Sequence, residues 1–397
     1  MGIIPSKKKK NKLSQNGTFK RTTIQIKEEQ NRWVNMGFKL FKEMKGEELC
    51  EKMMEEADEP PPDAGPFSAS QIALYVKKYQ ASFVLKSLAI QQRGTRPSGV
   101  GALGAITVLD NPLLPAHDFF TAERVFPVRL RHSNFVKTDD AESDVRVVSL
   151  KFSDSEFESP FDLMLHTGEE AAFWNIFSFD KMLNALHGGP KTFEAYCLED
   201  PWHFHLAIAG FRRAPDSFTD QRYYSWMAFE YKAKDGVPRY AKFRLVPEDD
   251  RKETGLMTEE EQRKPWDTSR WEDEIRPQDY LTADFEERMA EDGIQYKLQI
   301  QLHEIQPDDS HLILHTARAW DHATHPWLDL ADVRLTSLLP FDVIESTRCS
   351  LENIPESLSF PPAKTIYDYN SIGHMWSKIM LGSSKQCSTI RRPSKNK

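Results

Sequence analysis

The sequence predicts an α+β fold: an antiparallel β-barrel wrapped by helices, with a last helix closing against it. Three observations carry this. Two stretches of alternating character, 128–132 and 145–152, flank an acidic loop, as paired antiparallel strands do. Residues 224–231 and 239–245 are apolar-rich runs on either side of Asp235-Gly236, a strong hairpin signal. Helical spacing appears towards both ends of the chain.

The elements follow in order. Residues 1–30 read as a flexible basic tail. Trp33, Met36, Phe38, Leu40, Phe41 and Met44 recur at near-helical spacing over 32–57, and Glu59-Pro60-Pro61-Pro62 ends that segment. Residues 68–91 give a second helical stretch, with Ser68 as its cap. The glycine-rich run 99–104 lacks the strand–turn–helix setting of a nucleotide loop and reads as a tight barrel turn. Strands dominate the centre, and residues 296–302 alternate strictly. Residues 311–320 read as a further strand. Between these, 247–293 is acidic and reads as surface helices and loops. Residues 370–381 form the last helix, started by Asp368 or Asn370. There is no internal repeat and no sign of a second domain, so we divide the chain into a tail at 1–30, a domain at 31–384 and a basic tail at 385–397.

Composition narrows the function classes. The chain has 397 residues, 39% hydrophobic and 28% charged, as in a water-soluble globular protein. No apolar run approaches the roughly 20 residues that cross a bilayer. Cys50, Cys197, Cys349 and Cys387 show no metal spacing and read as reduced structural thiols of a cytoplasmic protein. Residues 1–27 carry eight basic and no acidic residues, and 371–397 carry six and none; with a net charge of −8, the middle holds −22. An acidic body with two basic ends does not look like a nucleic-acid binder. It suits tails that touch an anionic membrane surface. Gly2, with Ser6 and a following lysine run, matches an N-myristoylation pattern, and the lysines supply the second membrane signal that one acyl chain needs. The expectation is a cytoplasmic protein, peripheral on the cytoplasmic face of a membrane. A solubilising tail or a nuclear-import signal are the alternatives.

Several stretches, among them RWVNMGFKLF, GVGALGAITVLDNP, FPVRLRHSNF, FDLMLHTGE, YKLQIQLHE and THPWLDLA, resemble the catalase superfamily, and in particular its catalase-related allene oxide synthase domain of corals. The resemblance covers about Arg32 to Gly382, without the lipoxygenase domain that follows in the coral fusion. It implies a catalase-like barrel, a haem cofactor and fatty-acid hydroperoxides as substrates. It also implies where the chemistry sits. The distal Thr-His pair falls on Thr95 and Arg96, and the distal Asn on His166. Arg93 and Arg131 match arginines that hold the haem propionates. The proximal Tyr falls on Met380 and its supporting Arg on Trp376. A tyrosinate is a strong anionic ligand for ferric iron, whereas a thioether is a weak neutral one. His374 and Tyr369 are wrongly placed on the helix to substitute. A protonated Arg96 cannot act as a base, and His166 could take that role.

Three readings follow. The first is a membrane-tethered pseudoenzyme with haem absent or weakly bound, binding a lipid or protein partner. The second is a haem-dependent enzyme converting fatty-acid hydroperoxides, with Met380 as a weak iron ligand. The third is a haem-independent enzyme reusing the pocket, with Arg96 holding a carboxylate and His166 as acid/base; Thr95, Arg96 and His166 are the catalytic candidates. His322 and His325 form an HxxH pair that reads as structural rather than metal-binding, as do His203 and His205.

Overall fold

Alternating strands with one apolar face need a partner for that face, and closing the sheet on itself supplies one. The computed structural model describes residues 69–90, 96, 99–199 and 208–379. Its strands are β1 (Gly99–Val108), β2 (Val125–Asn134), β3 (Asp144–Lys151), β4 (Asp162–Thr167), β5 (Phe211–Arg212), β6 (Tyr223–Tyr224), β7 (Phe229–Lys232), β8 (Pro238–Pro247), β9 (Ile294–Glu304), β10 (Leu328–Leu338) and β11 (Leu358–Ser359). The hydrogen-bonded order runs β8-β6-β4-β3-β2-β1-β10-β9, and β9 pairs back onto β8, so eight antiparallel strands close a barrel. β7 and β11 extend from β8, and β5 pairs with β3. The helices are α1 (Ala69–Ile90), α2 (Ile176–His187), α3 (Pro190–Glu199), α4 (Glu259–Gln262), α5 (Tyr280–Glu291), α6 (Phe341–Ser346) and α7, residues 371–379.

Two cores result. Inside the barrel, Val128 and Leu130 of β2, Leu150 of β3, Leu163 and Leu165 of β4 and Phe243 of β8 are wholly buried. The second core lies outside the wall of β3 and β4. There Val147 and Met164 meet Tyr75 and Tyr79 of α1, Phe179 of α2 and Ile372, Met375 and Trp376 of α7. Alternation explains the division: residues one step apart on a strand point to opposite faces. Lys78 of α1 and Asp180 of α2 form a buried ion pair at 2.5 Å that ties the two helices, with the Tyr79 hydroxyl on the same carboxylate.

The Asp235-Gly236 hairpin joins β7 to β8, with Gly236 at φ 74°. Three elements differ from the sequence expectation. The 99–104 run is not a turn but the start of β1. Its glycines let neighbouring strands approach: a Cβ on Gly99 would lie 2.4 Å from the His132 carbonyl oxygen, and one on Gly104 would collide with that of Arg334. Residues 311–320 are not a strand. They form a 3₁₀ turn, His311–Leu314, capped by the Ser310 hydroxyl on Leu312 N–H, followed by turns in which Trp320 Nε1 donates to the Ile313 carbonyl. Local side-chain and turn bonds here outcompete a ladder. Within 247–293, α5 is not simply a surface helix, because Leu281 and Phe285 are fully buried against the barrel. The last helix forms as expected, but Asn370 donates to the carbonyls of Pro361 and Pro362 rather than capping it. The tails, the helix expected at 32–57, Ser68, His203 and His205 lie outside the described residues.

Candidate functional site

Of the expected site residues, Arg131 and His166 fall on the outer face of the barrel wall, and Trp376 lies on α7. In β2, Leu130 points inward, so Arg129 and Arg131 point outward. In β4, Leu163 and Leu165 point inward and Met164 and His166 outward. Arg96 precedes β1 and is held in the left-handed region at φ 55°, which few non-glycine residues adopt. Its backbone is fixed from both sides: its N–H donates to the Phe135 carbonyl at 2.9 Å and its carbonyl accepts from Arg131 at 3.0 Å.

Arg96 and His166 line the same small cavity, together with Phe135, Met164, Trp226 and Trp376. The Arg96 guanidinium sits 5.4 Å from the Phe135 ring centre and 5.6 Å from that of Trp376, and donates to the Met164 sulfur. His166 stacks on Trp226 with centroids 4.0 Å apart and planes 8° from parallel. Trp226 is itself pinned, its Nε1 donating to the Gly168 carbonyl at 2.7 Å. His166 is 5% exposed and its Nδ1 has no hydrogen-bond partner among the described residues. Burial, then the Arg96 charge, pushes its pKa well below the usual histidine value, so the ring is neutral. A neutral imidazole beside a cation could accept a proton from a bound molecule. The room left for the centre of a water-sized sphere is about 10 Å³, about enough for one water.

That space decides whether the residues fit a haem. A porphyrin needs both faces in van der Waals contact, about 7 Å between opposing walls. Here the Arg96 guanidinium lies against both the Phe135 ring, just after β2, and the Trp376 ring of α7, and the space left is about 10 Å³, far short of a porphyrin. The described part of α7 offers no anionic oxygen for iron. His374 turns to the Pro361 carbonyl, Nε2 to O 2.8 Å, and Tyr369 packs on His315. As arranged, these residues do not fit the cofactor. Thr95, Arg93 and Met380 lie outside the described residues. Arg131 is occupied internally, bonded to the Arg96 carbonyl and 3.6 Å from Glu345.

A larger cavity of about 310 Å³ lies alongside and shares Phe135, Phe173 and Trp226 with the small one. Its walls are chiefly apolar, from Met182, Leu183 and Phe193 of α2 and α3. Its polar residues include Lys137, whose Nζ bonds Glu142 at 2.9 Å and Thr268 at 2.8 Å. Asp144 also lines it, its carboxylate accepting the backbone N–H groups of Val136, Lys137 and Val145. The sequence reading missed this cavity, because its walls come from seven short stretches spread over residues 135–268 and none carries a motif.

His322 and His325 do not converge. His322 meets Glu169 at 2.9 Å, while His325 Nε2 bonds His303 Nδ1 at 2.9 Å. Among the described residues no group of three His, Cys, Asp or Glu could hold a metal, and no helix is long and apolar enough to cross a membrane.

No protein-family model matches the chain. It is 41% identical over 348 residues to the allene oxide synthase-lipoxygenase protein of Plexaura homomalla, a match covering 86% of this chain and 32% of that protein. It is 27% identical over 305 residues to the linolenate 9R-lipoxygenase of a Nostoc strain, covering 74% of this chain and 38% of that one. The chain thus spans about a third of the length of both relatives. Among solved structures, a fungal catalase superposes with a TM-score of 0.54 at 16% identity, covering 75% of this chain and 62% of the catalase. A bacterial catalase gives 0.54 at 14% identity, covering 77% and 60%. The fold is catalase-like, and in sequence the chain is similar to the coral allene oxide synthase-lipoxygenase protein.

Proposed function

We propose that this catalase-fold chain is a haem-free binding protein, a pseudoenzyme that accommodates an unbranched acyl chain in the cavity beside its Arg96–His166 cluster. One observation carries the reading: where the fold would seat a porphyrin, Arg96, Phe135 and Trp376 pack on one another. The neighbouring cavity of about 310 Å³ lies at the small end of ligand pockets, roughly 300–1,000 Å³. Its apolar walls suit a hydrocarbon tail, and Lys137 and Thr268 suit a polar head. Gly2 acylation and the lysine run would bring the protein to a cytoplasmic membrane face, where such ligands are found.

The test is displacement of a fluorescent fatty acid from the full-length protein. Saturable binding that Leu183→Trp abolishes supports the reading. Absence of binding to fatty acids of ten to eighteen carbons overturns it. Membrane tethering is tested apart: Gly2→Ala should release the protein from the membrane fraction, and an unchanged distribution contradicts the tether.

The 41% identity to a protein named for allene oxide synthase favours a second reading, haem-dependent conversion of fatty-acid hydroperoxides, with Met380 as the weak iron ligand. It requires α7 to move Trp376 away from Arg96. Turnover of a fatty-acid hydroperoxide by the haemin-treated protein would establish it. A third arrangement, catalysis without haem by His166, Arg96 and Thr95, predicts an activity lost in His166→Ala.

A further inference from the structure

A second small cavity lies on the same outer face, one step along the wall from Arg96. Arg129, Arg131 and Lys151 all line it, with Ser149, Thr347 and Cys349. Three cations are thus brought together by simple alternation, at positions 129 and 131 of β2 and 151 of β3. None is wetted: Arg129 is 7% exposed, Arg131 5% and Lys151 1%.

Two of the three have carboxylates. Arg131 faces Glu345 at 3.6 Å, and Lys151 faces Asp162 at 3.4 Å. Arg129 has none among the described residues. Its guanidinium donates to neutral acceptors, the Thr347 hydroxyl at 2.9 Å and the Asp154 carbonyl at 2.5 Å, and its Nε has no partner. Of the described residues that line the cavity, Cys349 is the other that could carry negative charge. Burial raises its thiol pKa far above the usual value, so it stays a neutral donor. Among the described residues the lining cations outnumber their paired carboxylates by one, and a buried charge without a partner is strongly unfavourable.

We propose that this cavity is a binding site for one small monovalent anion, chloride in the cell, held by the Arg129 and Arg131 guanidiniums beside Lys151, whose ammonium is turned to the Phe157 and Arg348 carbonyls and Asp162 and adds its charge. Size sets the class. The room for the centre of a water-sized sphere is about 20 Å³, little more than one such sphere. A halide fits; sulfate, phosphate and a carboxylate do not. The Ser149 hydroxyl and Cys349 thiol complete the donor set. This site is separate from the acyl cavity and stands or falls by itself.

The experiment uses the full-length protein, with chloride and bromide as probes and gluconate as the inert anion at matched ionic strength. Chloride should broaden its own NMR line saturably and raise the melting temperature by about 5 °C at a hundredfold excess over its dissociation constant, and Arg129→Gln should lose both. Equal melting in chloride and gluconate, or unchanged broadening in Arg129→Gln, overturns the proposal. Should that variant not fold, a wild-type crystal grown in bromide decides. An anomalous peak between Arg129 and Arg131 supports the site, and none there overturns it. The absorption spectrum of the same sample separates the two readings. A haem band sinks the haem-free function, whereas a colourless protein with no halide response sinks this proposal alone.

Discussion

The two faces of the barrel wall at β2–β4 are equally buried and very differently made. The inner face is hydrocarbon: Val128, Leu130, Val148, Leu150, Leu163 and Leu165 are each 0% exposed. Its polar residues are bonded internally: His132 to the Tyr296 hydroxyl at 2.8 Å, Asn134 to the Asp140 carboxylate at 2.7 Å, Arg146 to the Asp140 and Glu142 carbonyls and Thr167 to the Gly210 carbonyl. The outer face holds Arg129, Arg131, Lys151, Asp162 and His166, all buried beneath helices. Apolar burial stabilises by area alone, whereas buried charges seldom repay their desolvation. The inner face therefore explains why the protein folds. The outer face costs desolvation energy without an apolar return, and the proposed anion and acyl sites adjoin it.

The largest effect should come from the inner face. Phe243 touches Phe120, Phe161 and Phe229, and Phe243→Ala should cost about 3–5 kcal/mol of unfolding free energy in urea titration, leaving acyl-probe affinity unchanged in the folded fraction. Next comes the outer face. Asp162→Asn strands the Lys151 ammonium and should cost about 3 kcal/mol. The double change Lys151→Met with Asp162→Leu should recover most of it. Additive losses would mean that the pair is packed for shape and not for charge.

A pH series sharpens the contrast. His132 and His166 are neutral in the fold because burial lowers their pKa values, His132 to about 3. The unfolded chain takes up those protons near 6.5. Below that pH the unfolded state binds more protons, so stability falls with acid; above it this contribution is constant. Each histidine contributes a slope of about 1.4 kcal/mol per pH unit. Stability curves of wild type and His166→Asn should therefore converge from pH 6 to pH 5 by about that amount. Parallel curves would place a charged His166 in the fold. Smallest of all, Leu183→Trp grows into an existing cavity rather than a full core, so it should alter stability by about 1 kcal/mol or less and abolish acyl-probe binding. An unchanged affinity would move the ligand out of the cavity.

The inner face was legible because period-2 alternation reports one buried side directly. Residues 128–132 and 145–152 placed β2 and β3 correctly, and Asp235-Gly236 placed the turn into β8. Alternation is silent about what lies on the other side. Arg129 and Lys151 look like solvent positions until α6 and the segment after it cover them. Arg131 entered only through family resemblance, which assigned it a role and not the Glu345 contact that occupies it. Resemblance also flagged Arg96, His166 and Trp376 as substitutions. That Trp376 and Phe135 would meet at the Arg96 guanidinium depends on how closely α7 approaches the wall, and no local pattern encodes that distance. The misread 311–320 segment has the composition of a strand, but Ser310 and His315 bond nearby backbone and redirect it.

The central claim is that packing among Arg96, Phe135 and Trp376 has replaced the cofactor. Titration of the purified full-length protein with haemin, followed by absorption near 400 nm, tests it most directly. The account predicts no saturable Soret band, and no band at one equivalent even after prolonged incubation. A sharp one-to-one endpoint, with a stable ferric spectrum that survives gel filtration, would contradict it.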